Sequence, residues 1–230
     1  MIADIYKNNM EQRFIKKENN PRLLLFFAGW GSDEHLFSRP VEDGYDYLLC
    51  FDYRTLDFDY SLLDGYREIR LLAWSMGVWV AGQVLTGKDY PWQMRLAVGG
   101  TPFPIDDRKG IPEAIFRATL ENFSDAALVR FRRRICGTAE QVKEFLSHAP
   151  YRPVPELHEE LQALEQYVRR LSAPFVWDKA IVGTGDKIFP PANQREAWRG
   201  TAVIEKDVAH YGGALFDRLL SGEEAVWTRH

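Results

Sequence analysis

The sequence predicts an α/β fold: a mostly parallel sheet flanked by helices, with a helical insertion after the strand near 95–99. Three observations predict it. Short apolar runs bounded by polar or turn residues recur along the chain, as fully buried strands of a parallel sheet do. A strongly apolar helix-like segment separates two of those runs. One long stretch has no strand-like run and shows helical apolar spacing instead.

The first strand is Arg22 to Phe27 (RLLLFF), followed by Tyr47 to Phe51 (YLLCF) and Ile69 to Ala73 (IRLLA). Met76 to Leu85 (MGVWVAGQVL) then reads as a helix buried on most of its surface, before a fourth strand at Arg95 to Gly99. Lys179 to Val182 and Ala202 to Glu205 complete six core strands. Strand, helix and strand repeated this way place helices on both sheet faces. Between residues 104 and 172 the apolar positions Ile115, Leu120 and Phe123, then Ala127, Val129 and Phe131, then Leu157, Leu161, Leu164 and Val168 predict helices. Pro150, Pro153 and Pro155 are expected to punctuate them. The expected organisation is a core of residues 1–103 and 173–230 with a helical cap at 104–172.

Composition narrows the function. A chain of 230 residues, 46% of them apolar, buries roughly 70–75% of its unfolded surface. It needs no disulfide or structural metal for a core. With 29 basic against 33 acidic side chains it lacks the cationic excess of a nucleic-acid binder. Cys50 and Cys136 sit in no CxxC or Cys/His cluster, which argues against a disulfide scaffold or zinc site and for a reducing compartment. The amino terminus carries no secretory pattern and no apolar stretch reaches a bilayer's width. A cytoplasmic protein with no membrane association is the expectation.

The strongest chemical signal is Ala73-Trp74-Ser75-Met76-Gly77, placed between a strand and a helix. This is a nucleophile elbow with Ala at the first small position: a sharp turn that holds the serine strained and exposes its hydroxyl. The helix start directs the Met76 N–H at the place where an oxyanion forms. A serine hydroxyl needs a base, and the base an orienting carboxylate, in the chain order Ser, acid, His. Asp186, after the strand at 179–182, and His210, after the strand at 202–205, meet that order and leave the same sheet edge as Ser75. Asp106 or Asp107 is the alternative acid, leaving the fourth strand; Asp178 belongs to the opposite edge. His35 precedes the serine, His148 and His158 lie in the insertion and His230 is terminal, so all four read as surface histidines. The turn Gly29-Trp30-Gly31 is the candidate for the second oxyanion donor, the Trp30 N–H, with the indole as a pocket wall. It is not a dinucleotide loop, since Glu34 stands where the third glycine belongs, and Gly183-x-Gly185-Asp186-Lys187 lacks P-loop spacing.

These residues resemble the α/β-hydrolase superfamily. More narrowly, the stretches FFAGWGSD (Phe26 to Asp33), AWSMG (Ala73 to Gly77), GTPFPID (Gly100 to Asp106) and GDKIFPP (Gly185 to Pro191) resemble the BioG-type pimeloyl-acyl-carrier-protein methyl ester esterases of biotin synthesis. The resemblance implies hydrolysis of that methyl ester, releasing methanol, without metal or organic cofactor. It implies Ser75 as nucleophile, His210 as base then acid, Asp186 as its orienter, and the Met76 and Trp30 amides as oxyanion hole. Another acyl esterase or thioesterase, or a noncatalytic binding protein on the same scaffold, is the alternative. A carrier protein is acidic, so Arg130, Arg132, Arg133 and Arg134, with Arg152, Arg169 and Arg170 further along, are the expected docking cations for a transient complex.

Overall fold

A computed structural model describes residues 10–228. Seven strands form one sheet: β1 (Glu11–Lys16), β2 (Arg22–Phe27), β3 (Tyr45–Phe51), β4 (Glu68–Trp74), β5 (Trp92–Val98), β6 (Lys179–Gly183) and β7 (Ala202–Lys206), in the order β1-β3-β2-β4-β5-β6-β7. All neighbours are parallel except β1, which runs antiparallel to β3. The six expected strands are present; β1 is an addition. Its sequence EQRFIK is half charged and sits at the sheet edge, where such side chains stay in solvent and discourage further pairing.

Among the described residues, eight α-helices accompany the sheet: α1 (Glu34–Phe37), α2 (Met76–Leu85), α3 (Glu113–Glu121), α4 (Asp125–Cys136), α5 (Ala139–Ser147), α6 (Val154–Arg170), α7 (Pro191–Ala197) and α8 (Gly213–Leu220). Four of them, α3 to α6, lie between β5 and β6. Pro150 and Pro153 precede α6 as expected, but Pro155 is its second residue, where the missing N–H has no intrahelical role. Val129 is exposed, contrary to the expected apolar face: positions 127, 129 and 131 step by two, which a helix does not keep on one side.

Successive strand residues point to opposite faces, so β2 divides its side chains between two cores. Leu23, Leu25 and Phe27 join α2 and the inner face of α6; Leu24 and Phe26 join α1 and α8. From β2 the chain moves outward to β3, returns to β4 on the other side of β2, and then proceeds to β7. That reversal opens a crevice at the carboxyl ends of β2 and β4, where open α/β sheets bind ligands. Cys50 and Cys136 are buried free thiols. No helix among the described residues is long and apolar enough to cross a membrane.

Candidate active site

Ser75 follows β4 directly and caps α2 with φ 59° and ψ −129°, a left-handed conformation for a residue with a side chain. The surroundings hold the strain in place. Ser75 N–H donates to the Val98 carbonyl at 3.0 Å. A Cβ on Gly77 would stand 2.3 Å from the Phe27 carbonyl oxygen, and one on Gly100 2.2 Å from the Ser75 carbonyl oxygen. Only glycine lets the three backbones meet. The Gly29-Trp30 turn presses on the serine too, since a Cβ on Gly29 would lie 3.0 Å from Ser75 Cβ. Met76, as the first helical residue, has an N–H with no intrahelical acceptor to reach.

Across the crevice, His210 Nε2 lies 2.9 Å from Ser75 Oγ, and His210 Nδ1 lies 2.8 Å from Asp186 Oδ2. All three residues are buried. Asp186 Oδ1 accepts the Ile188 and Phe189 amides at 2.8 and 2.9 Å. Two aromatic rings adjoin the imidazole: Phe189 lies nearly parallel to it at 5.9 Å and the Trp74 indole lies tilted at 5.2 Å. Trp74 Nε1 also donates to the His210 carbonyl, and Tyr211 N–H to the Ile135 carbonyl, each at 2.9 Å. Behind the loop, Arg39 donates to the Tyr211 hydroxyl and to Glu144 and Asp217, joining α1, α5 and α8. Burial pushes the Tyr211 phenol well above its ordinary range, so it stays a neutral partner.

Ser75, Met76, Trp30 and His210 open into a cavity of about 490 Å³ walled chiefly by apolar side chains of α3 and α4, among them Ile115, Phe116, Leu128 and Phe131. The Trp30 indole is one wall; its Nε1 donates to the Leu157 carbonyl at 2.9 Å, and Phe123 and Phe131 lie T-shaped to it at 5.3 and 5.1 Å. Arg130, Arg132 and Arg134 reach the same cavity, whereas Arg133 is exposed outside it. Arg132 donates to the Pro150 carbonyl and Arg134 to the Lys187 carbonyl. Burial lowers the Arg132 pKa, partly offset by Asp33. Arg152 is engaged elsewhere: it is buried against Asp52 and Glu160, fastening α6 to the end of β3, and Arg169 pairs with Glu165.

The alternative residues have other partners. Asp106 Oδ1 accepts the Arg108 and Lys109 amides, Asp107 the Glu113 amide, and Asp178 pairs with Arg95. His35 lies over Tyr151 beside Asp33, His148 against Ser147, and His158 against the Leu120 carbonyl. His230 falls outside the described residues. Gln194, wholly buried on α7 with its amide on Asp186, was not legible, because a lone Gln in a helix carries no motif.

A parallel sheet with a left-handed serine between strand and helix at its crevice defines the α/β-hydrolase class. The chain belongs to the BioG family: the family model described as Pimeloyl-ACP methyl esterase BioG matches residues 10–222. The chain is 49% identical over 201 residues to a Malonyl-[acyl-carrier protein] O-methyltransferase of Bacteroides fragilis; the match covers 87% of this chain and spans 40% of that protein's length. An uncharacterized protein of Haemophilus influenzae is 42% identical over 193 residues, covering 82% of this chain and 88% of the relative. The crystal structure of SeMet-BioG from Haemophilus influenzae superimposes with a TM-score of 0.82 at 40% identity, covering 90% of this chain and 97% of that one. An enol-lactonase from Burkholderia xenovorans matches at 14% identity with a TM-score of 0.59, over 93% and 92% of the two chains, a likeness of fold alone.

Proposed function

We propose that the protein is a serine carboxylesterase that hydrolyses the methyl ester of pimeloyl-acyl carrier protein to pimeloyl-acyl carrier protein and methanol, in the cytoplasm. The observation that carries this reading is the hydrogen-bonded line Ser75–His210–Asp186 on the floor of an apolar cavity, in a chain of the BioG family.

Ser75 Oγ attacks the ester carbonyl while His210 Nε2 takes its proton, and Asp186 stabilises the imidazolium through Nδ1. The carbonyl oxygen becomes an oxyanion facing the Met76 and Trp30 amides, fixed dipoles that need no reorganisation. Collapse breaks the bond to the methoxy oxygen, which leaves as methanol with the proton from His210. Water, activated by the same imidazole, then attacks the acyl-serine and restores the enzyme. The apolar walls of α3 and α4 accept the methylene chain, and cations on α4 meet the acidic carrier that holds its far end. The test is methanol release from pimeloyl-acyl carrier protein methyl ester by the purified protein, with carrier and coenzyme A thioesters for comparison. Stoichiometric methanol with intact thioester is expected. Thioester cleavage in preference to methanol release would overturn the assignment.

A further inference from the structure

Gln194 lies in the middle of α7 with no exposed surface. Its Nε2 donates to Asp186 Oδ2 at 3.0 Å and to the Phe189 carbonyl at 2.7 Å. Asp186 Oδ2 is the same oxygen that faces His210 Nδ1. Each carboxylate oxygen therefore takes two donors among the described residues, and Gln194 is the only side chain besides His210 among them.

The amide has one orientation available. Exchanging its nitrogen and oxygen would set Oε1 against a carboxylate and a carbonyl at those same distances, two acceptor–acceptor contacts. In the orientation present, Oε1 is buried without a hydrogen-bond partner among the described residues. A buried unpaired acceptor is destabilising, so packing alone is better served at this position by Met or Leu. What the glutamine adds is its N–H pair. The helix that aims it is itself fixed: Trp198, just after α7, donates from Nε1 to the Gly100 carbonyl, and Asn193 donates to the Asp107 and Gly110 carbonyls. Gly100 is the residue that backs the Ser75 carbonyl.

We propose that Gln194 is a positioning residue for the esterase reaction: it locks the Asp186 carboxylate in rotation, with Oδ2 on His210 Nδ1. The inference rests on the triad reading of Ser75, His210 and Asp186. Gln194→Met and Gln194→Glu are compared with the parent protein on a small activated ester, p-nitrophenyl butyrate, which needs no carrier. For Gln194→Met, kcat falls about 10- to 100-fold, the scale of loss from a misaimed group, while KM stays within about twofold. In Gln194→Glu the ionised carboxylate cannot donate and faces Asp186; the titratable groups around it are Asp186 and, beyond it, His210. Crowding two carboxyls raises the proton affinity of the pair. As pH falls and the introduced carboxylate takes up a proton, its O–H donates to Asp186, so the kcat ratio of variant to parent rises towards low pH. If Gln194→Met does not fold, the Gln194→Glu ratio decides alone. A ratio flat with pH, or a folded Gln194→Met variant with kcat within twofold of the parent, overturns the proposal. Ser75→Ala measured in parallel separates the two readings: turnover surviving there defeats the triad itself, whereas an inactive Ser75→Ala beside fully active Gln194 variants defeats only the positioning role.

Discussion

Helices α2 and α4 flank the same serine and are built on opposite terms. In α2 every residue but Gln83 is buried, and its start is fixed by glycines that meet neighbouring backbone. In α4 only Ile135 and Cys136 are buried; Ala127, Leu128, Phe131 and Arg132 are half-buried, and Asp125, Ala126, Val129 and the cations Arg130, Arg133 and Arg134 are exposed. Chemistry needs atoms held to fractions of an ångström, and the sheet edge supplies that rigidity through packing. Under the proposed function, recognition of a long, tethered substrate falls to α4, whose light packing leaves area and charge in reach. The comparison predicts that changes on the α2 side act on the chemical step and changes on the α4 side act on binding.

The largest expected effect is on the chemical step. Ser75→Ala should lower turnover by about 10⁴-fold or more and abolish labelling by a fluorophosphonate, with the melting temperature unchanged. His210→Ala should cost nearly as much, because the members act as a unit. Labelling that persists in Ser75→Ala would put the nucleophile elsewhere and break the comparison at its root.

Next comes the fastening of α6 to the sheet. Arg152 is buried between Asp52 and Glu160, and Glu160 has no exposed surface. Burial raises the Glu160 pKa while Arg152 opposes the rise. Arg152→Met leaves a buried carboxylate without its counter-ion and should destabilise the fold by about 3–5 kcal/mol in urea titration. A loss below about 1 kcal/mol would mean that α6 is held by its apolar face alone.

A smaller effect tests the sheet far from the crevice. Burial alone would raise the Asp46 pKa, but the Glu18 amide, the Tyr66 hydroxyl and both nitrogens of Asn20 override it and hold the carboxyl down at about 2. The folded value lies below the unfolded one, near 3.9, so this contribution is present above about pH 4 and is lost as pH falls towards about 2. About 2–3 kcal/mol is at stake by that linkage. Asp46→Asn should flatten the acid limb of the stability curve; an unchanged limb would assign acid unfolding to other carboxylates.

Legibility followed the same division. The turn at Ser75 and the loops that carry Asp186 and His210 could be placed at strand ends, because a strand buried on both faces is a continuous apolar run. Strand β1 was not, since an edge strand satisfies its backbone on one side and keeps Glu11, Arg13 and Lys16 in its six residues. Nor was the division of labour among the arginines. A run of like charges says nothing of which members face a carbonyl, a cavity or water; only the fold shows Arg152 inside an ion network while Arg133 stands clear of the cavity. Gln194 was hidden for the complementary reason, that its contacts with Asp186 and the Phe189 carbonyl depend on how α7 folds back on the preceding loop.

The smallest effect bears on α4 itself. Arg130, Arg133 and Arg134 recur at helical spacing, so they share a face, and Arg130 and Arg134 reach the cavity. All three are exposed, but Arg134 is tied to the Lys187 carbonyl, which leaves Arg130 and Arg133 as the pair without that tie. Exposed charge pairs are worth about 0.2–1 kcal/mol each, so Arg130→Ala with Arg133→Ala should raise KM for the carrier-linked ester about 2- to 30-fold. The kcat should hold, and a small free ester should be hydrolysed as before. The difference should shrink as salt is added, because charges that meet in solvent are screened within about 8 Å at physiological ionic strength. An equal rise in KM for both esters would mean that these arginines shape the cavity, and the line between an α2 side for chemistry and an α4 side for docking would have to be redrawn through the helix.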